Sequence, residues 1–182
     1  MGRYRGVATN NLGVDMTNEF NIEQMINAYG KPILRYCHLM LRDYHEAQDV
    51  VQTTFVRAFY AKKPPNDKLS AWLYKIAYNC CIDILRKRKR WLKFLDDTAK
   101  SGLDDSYCME DGMSYEIRTA LGVLSPQDRA IIISRLVDDL DYQQISQIYG
   151  INAAALRKRY MRAKTKLALA LREQGLEGAY GQ

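Results

Sequence analysis

Apolar residues recur at three- and four-residue spacing along most of the chain, with no strand-rich region and no internal repeat, so the pattern predicts an all-α protein. Ile22 to Leu41 reads as one helix, with Pro32 marking a kink or break. "DYHEAQDVVQTTFVRAFYA" opens on a capping-box pair, Asp43 and Glu46, and predicts a helix to about Tyr60. The two prolines of "KKPPNDK" end it in a loop. A long helix follows from Leu69 to Leu92, its apolar face formed by Leu69, Trp72, Leu73, Ile76, Ala77, Cys80 and Ile84. After a polar stretch ending at Gly112, four more helices are expected. The first is short, Met113 to Val123. The second starts at "SPQDR", with Ser125 as cap and Pro126 in the first turn, and carries Ile131, Ile132, Ile133 and Leu136. The third opens on a capping box, Asp141 with Gln144, and runs to Tyr149. Gly150 then makes a turn, and Asn152 caps a last long helix ending near Gly175.

Charge divides this series in two. The formal net charge is +6, which points only generally to nucleic acid or another acidic surface. Its distribution says more. Lys75 to Lys93 has seven cations against the single acid Asp83, and Arg157 to Arg172 has seven cations and no acid. Between them, Asp96 to Glu116 holds seven acids. Two basic surfaces separated by an acidic linker fit this layout better than one continuous phosphate-binding face. Hydrophobic residues make up 47% of the chain, enough for a packed core. Cys37, Cys80, Cys81 and Cys108 form no CxxC, and with only His38 and His45 no zinc spacing arises, so buried free thiols and no metal or other cofactor are expected. There is no apolar run of signal or membrane-span length. Residues 1–18 and 175–182 are expected to be disordered tails, and Met16 is a possible alternative start.

The last two helices and the Gly150 turn have the form of a helix-turn-helix. On a helical wheel Leu156, Tyr160, Ala163 and Leu167 fall on one side, and Ala154, Arg157, Lys158, Met161, Arg162 and Thr165 on the other. Three alanines, Ala153 to Ala155, occupy the first turn, where base-reading side chains usually sit. Small residues there let the helix N-terminus approach phosphates closely, and Ala154 could touch a thymine methyl. Base reading would pass to Arg157, Lys158 and Arg162. The plainer alternative is a solvated basic face on an ordinary helical hairpin. A helix-turn-helix alone names no function, since repressors and recombinases also use one.

The remaining motifs narrow the choice. "HEAQDVVQTTFVRAF" is followed by "WLYKIAYNCCIDILRKRKR", and "LSPQDRAIII" by "DYQQISQIYGINAAALRKRYMRAKTKL". These resemble the bacterial RNA polymerase sigma factors of the extracytoplasmic-function (ECF) group of the sigma-70 family. That group's second conserved region has D-x-x-Q-x-x-F, here Asp49, Gln52 and Phe55. It then has W-L-x-x-I-A-x-N-x-x-x-D-x-x-R, here Trp72, Leu73, Ile76, Ala77, Asn79, Asp83 and Arg86. Its fourth region ends in R-x-x-R-A-[RK], here Arg159, Arg162, Ala163 and Lys164. The likeness covers about residues 20 to 95 and 113 to 172. It departs at the alanine triplet, where the family commonly has a Thr before the position of Leu156.

The resemblance implies two small helical domains joined by a flexible acidic linker: a region 2 bundle over 19–95, a linker over 96–112, and a region 4 helix-turn-helix domain over 113–174. It also implies an initiation subunit without enzymatic activity of its own, acting in the cytoplasm. Its partners would be core RNA polymerase, through the clamp helices of the largest subunit and the flap of the second-largest, and promoter DNA. An anti-sigma factor, often membrane-tethered in this group, is a further expected partner; no direct membrane insertion is expected. Asp49, Gln52 and Phe55 would bind core polymerase. Trp72, Lys75, Asn79, Asp83, Arg86, Lys87 and Arg90 would engage the −10 element, with Tyr74 and Tyr78 as further stacking surfaces. Ala154, Arg157, Lys158, Met161 and Arg162 would engage the −35 element. Lys62 to Lys68 would receive a flipped −10 base, and the acidic linker would either mimic nucleic acid in the polymerase channel or serve as a soluble tether. Each role has a plainer counterpart: a solvated Asp49–Gln52 pair beside a core Phe55, a core Trp72, and an Asp83–Lys87 ion pair. Two rival functions remain, a helix-turn-helix transcriptional regulator that is not a sigma factor, and an RNA-processing enzyme. The first would need a sensor or dimer domain, and the second a carboxylate cluster, phosphate loop or His-based pair; none of these is evident in the sequence.

Overall fold

A computed structural model describes residues 22–61, 69–94 and 115–174; the expectations for both tails, for Lys62 to Lys68, for Cys108 and for the linker lie outside the described residues. Among those described there are seven helices and no strand. They are α1 (Ile22–Leu41), α2 (Tyr44–Tyr60), α3 (Leu69–Phe94), α4 (Tyr115–Gly122), α5 (Pro126–Leu136), α6 (Tyr142–Tyr149) and α7 (Ala153–Glu173). Pro32 lies inside α1 without ending it.

The ends follow local chemistry. Asp43 caps α2 by accepting the Glu46 N–H at 2.8 Å. The expected reciprocal half of that box is absent, because Arg88 of α3 takes the Glu46 carboxylate in an ion pair. The Asp141–Gln144 box is complete, with both bonds at 2.8 Å. Ser125 caps α5 through Asp128 N–H, and Asn152 caps α7 through Ala154 N–H. Gly150 closes α6 at φ 67, the left-handed conformation that glycine adopts without a Cβ penalty.

Helices α1–α3 form one bundle and α4–α7 a second, and the two share a continuous apolar core. Between the bundles lies a buried polar seam. Arg129 of α5 is buried and donates to the carbonyls of Leu121 (3.0 Å), Gly122 (3.3 Å) and Met40 (2.7 Å). The C-terminal ends of α1 and α4 thus supply oxygens to one guanidinium, where helix dipoles favour a cation. Burial, with Arg42 and Arg88 nearby, lowers its pKa to about 10, still charged at neutral pH. Arg35 of α1 reaches Asp138 at 2.8 Å and the Val137 carbonyl at 3.2 Å. Burial raises the Asp138 carboxyl against the opposing pull of Arg35. The Tyr149 hydroxyl meets those of Tyr36 (3.0 Å) and Ser134 (2.6 Å) and donates to the Ala130 carbonyl (3.2 Å). Cys37, Cys80 and Cys81 are buried free thiols, as expected of them.

Candidate nucleic-acid interface

The back of α7 is buried at Leu156, Tyr160, Ala163 and Leu167, and its front is exposed at Ala154, Arg157, Lys158, Met161, Arg162 and Thr165. The amphipathic division read from spacing therefore holds residue for residue. Periodicity could not supply what braces the cations. The Arg157 guanidinium lies over the Tyr142 ring at 5.5 Å, and Arg135 lies over the same ring at 5.6 Å. Arg159 is bound to Asp128 at 2.5 Å. Burial pushes the Asp128 carboxyl up, but hydrogen bonds from Ser125 and Arg159 outweigh it and hold the group below its ordinary value. Asp128, Arg159, Arg162, Ala163 and Lys166 line an open cleft of 370 Å³ between α5 and α7, cationic on its α7 wall.

On α3, Lys75, Asn79, Asp83, Arg86, Lys87 and Arg90 are all exposed, and Trp72 is half-buried against the core. Asp83 pairs with Arg86 at 3.6 Å, one turn on, rather than with Lys87. Arg88 of the same basic run turns inward, donating to the Leu41 carbonyl at 2.9 Å and pairing with Glu46. Tyr74 is buried, and Tyr78 packs edge-on against Tyr149 with ring centroids 4.6 Å apart. Tyr74 is thus closed to base stacking, its ring against Tyr36 of α1 at 5.3 Å, while Tyr78 stays half-buried beside α6.

On α2, Asp49 and Gln52 are exposed, whereas Phe55 is 6% exposed and belongs to the core. The outer stripe continues instead through Val56 (54% exposed) and Phe59 (42%). The spacing 49, 52, 56, 59 could have revealed those two, since it follows one helix face. No group of His, Cys, Asp and Glu among the described residues could hold a metal ion. No described helix is long and apolar enough to cross a membrane.

Two helical bundles, the first with a cationic helix and the second with a capped helix-turn-helix, define a DNA-binding class of protein. Comparison with known proteins narrows it. The Sigma-70 region 2 family matches residues 25–91, and Sigma-70, region 4 matches residues 110–167. The ECF RNA polymerase sigma factor SigW of Bacillus subtilis is 28% identical over 166 residues, covering 82% of this chain and 88% of the relative. SigM of the same organism is 29% identical over 151 residues, covering 80% and 92%. Among solved structures, the sigma factor RpoE in complex with the anti-sigma factor NepR from Bartonella quintana has the same fold. Its TM-score is 0.67 at 22% identity, over 82% of this chain and 96% of that one. CnrH in complex with the cytosolic domain of CnrY gives 0.63 at 21% identity, over 84% and 88%. The chain belongs to the sigma-70 family, and SigW and SigM, to which it is similar, are ECF sigma factors.

Proposed function

We infer that this chain is an alternative sigma factor, which joins core RNA polymerase and directs it to promoters by engaging a −10 and a −35 element and assisting melting. The observation that carries this reading is the pairing of two exposed cationic helix faces, α3 in the region 2 part and α7 in the region 4 part, each backed by a buried apolar face. The core enzyme supplies the chemistry of RNA synthesis.

The roles divide by helix, with domain limits of 19–95 and 113–174. The outer stripe of α2, Asp49 and Gln52 with Phe55 supporting it from the core side, docks on the clamp helices. The stripe Lys75, Asn79, Arg86, Lys87 and Arg90 follows the −10 strands: its cations bind phosphates and Asn79 bonds a base edge. Asp83 orients Arg86, and Trp72 supports the helix at its half-buried edge. Ala154, Arg157, Lys158, Met161 and Arg162 meet the −35 duplex, while Arg162 and Lys166 at the cleft hold its backbone. The second bundle also meets the flap of the second-largest subunit.

The protein works in the cytoplasm without membrane insertion, and an anti-sigma factor is its regulator. The sigma factor RpoE of similar fold is bound to the anti-sigma factor NepR, and CnrH to the cytosolic domain of CnrY, which supports this part. A pull-down from resting and stressed cells that captured only core polymerase would remove it.

Transcription in vitro tests the whole. Core polymerase with this chain should initiate at specific sites on host DNA where core alone does not. Failure to co-purify with core, together with dimeric binding to a palindrome, would favour the rival regulator. Asp49→Ala with Gln52→Ala should weaken core association without unfolding, since both residues are exposed.

A further inference from the structure

We propose that Tyr142 is a positioning residue for sequence reading by Arg157, holding the guanidinium by its face so that its edge is free to meet a guanine. This deepens, and rests on, the reading of α7 as the helix that engages the −35 element.

Three features fix Tyr142. It is the first residue of α6, directly after the Asp141 cap, and the closed Asp141–Gln144 box sets the backbone of that turn. Its ring meets Tyr160 of α7 edge-on, with centroids 6.1 Å apart at 81°. Arg135 also lies over the ring, and is itself held by Asp139 at 3.0 Å and by the Leu140 carbonyl at 3.2 Å. The ring is thus anchored by α5, α6 and α7 together before Arg157 meets it.

The kind of anchor matters as much as its position. Arg159, two residues on, spends its Nε–H on Asp128. Arg157 has no carboxylate partner among the described residues; its contact is with the electron-rich face of a ring. A cation over a ring is attracted by the quadrupole without using its N–H donors. Those donors lie in the guanidinium plane, in the fork that matches O6 and N7 of guanine in the major groove. An exposed arginine with no support has many rotamers, and ordering it on DNA weakens binding. A stack that restricts those rotamers while sparing the donors favours one base at one position.

The test uses holoenzyme assembled from core polymerase and the full chain. It transcribes a template library randomised across the upstream element, each template carrying its own barcode in the transcribed part, and the base preference at each position is read by sequencing the barcodes in the transcripts. Arg157→Ala should abolish the guanine preference at one position. Tyr142→Leu should reduce that same preference by about two- to five-fold, the size of an exposed cation–π contact, and leave the other positions and the −10 preferences unchanged. Tyr142→Phe should retain it, because the ring remains. Tyr142→Met, which keeps side-chain bulk without a ring, repeats the measurement if the leucine variant fails to fold. In the Arg157→Ala background, Tyr142→Leu should add nothing. An unchanged preference in both the leucine and methionine variants would overturn the proposal. So would equal losses at all positions, or an undiminished Tyr142 effect once Arg157 is alanine. If Arg157→Ala itself left every preference intact, the proposal would fall; the reading of α7 as a base reader would fall only if Lys158→Ala and Arg162→Ala left every preference intact as well.

Discussion

Helices α3 and α7 both turn a row of cations to solvent, but they hold those cations differently. On α7, the Arg157 guanidinium lies over the Tyr142 ring and Arg159 is tied to Asp128. On α3, Lys75, Lys87 and Arg90 have no partner among the described residues, and Arg86 has only the loose, exposed pairing with Asp83. The one strongly bound cation of the α3 run, Arg88, faces inward and serves the fold. A braced arginine suits a rigid duplex, whose base edges present fixed acceptors. Unbraced cations suit strands that change shape as they separate, since a backbone phosphate can be followed from many rotamers. If α3 and α7 engage DNA as proposed, the two bundles are built for different states of it, although their net charge alone would not separate them.

The comparison presupposes that both helices are set in one frame, and breaking that frame gives the largest effect. Arg129→Met removes the cation from beneath the carbonyls of Met40, Leu121 and Gly122, of which Leu121 keeps the Leu124 N–H at 3.3 Å. The loss should be about 3 kcal/mol, by urea unfolding. A loss within ~0.5 kcal/mol, as at an ordinary surface position, would mean that the seam between the bundles contributes little.

Next comes the exposed first turn of α7. Ala154→Asp places a carboxylate at a helix N-terminus, where it favours the helix by about 0.3–1 kcal/mol. The same charge would face DNA phosphates, so upstream-duplex binding should fall by roughly ten-fold or more, a cost on the order of 1.4 kcal/mol. Ala154→Ser should be mild. A raised melting temperature together with weakened binding would sharpen the assignment of this face, whereas unchanged binding would place DNA elsewhere.

A smaller effect separates braced from unbraced cations by salt. Lys75→Ala or Lys87→Ala should weaken all −10 sequences alike and lower the salt slope by about one each. The smallest concerns pH. The folded Asp128 carboxyl lies below its ordinary value. The stability it contributes through Ser125 and Arg159 is thus fully present above the unfolded carboxylate value of about 3.9 and is lost as pH falls through the folded one. Thermal melts of Asp128→Asn and the parent protein should converge in strong acid and differ at neutral pH, with the parent the more stable.

Much of this arrangement was legible in the chain. Capping residues and the Gly150 turn located five of the helix boundaries, because a cap is a local bond between neighbours in sequence. The exposed stripes of α3 and the front of α7 followed from period alone. What periodicity cannot tell is which neighbour covers a face. Tyr74 and Tyr78 read as open stacking surfaces, yet Tyr149, more than seventy residues on, packs against Tyr78. Phe55 read as part of a docking edge from its place in the motif, but it lies about 100° around the helix from the exposed Val56, and the face 49, 52, 56, 59 passes it by. The pairing of Arg157 with Tyr142 joins two helices across a turn, and no spacing rule links them. Nothing in "SPQDR" singles out Arg129, because a cation satisfied only by carbonyls leaves no acidic partner in the sequence to signal it.

The central claim is that the arginines of α7 select sequence and the cations of α3 follow backbone. It is tested most directly by titrating holoenzyme on a cognate promoter and on versions changed one base at a time, at two salt concentrations. Arg157→Ala should equalise affinity across the bases at one upstream position, at roughly 1–3 kcal/mol, with the other positions still discriminated. Lys75→Ala should weaken every promoter by the same factor and more so at low salt. If Arg157→Ala weakened all promoters equally, or Lys75→Ala removed discrimination at a single base, the division of labour between the two helices would be contradicted.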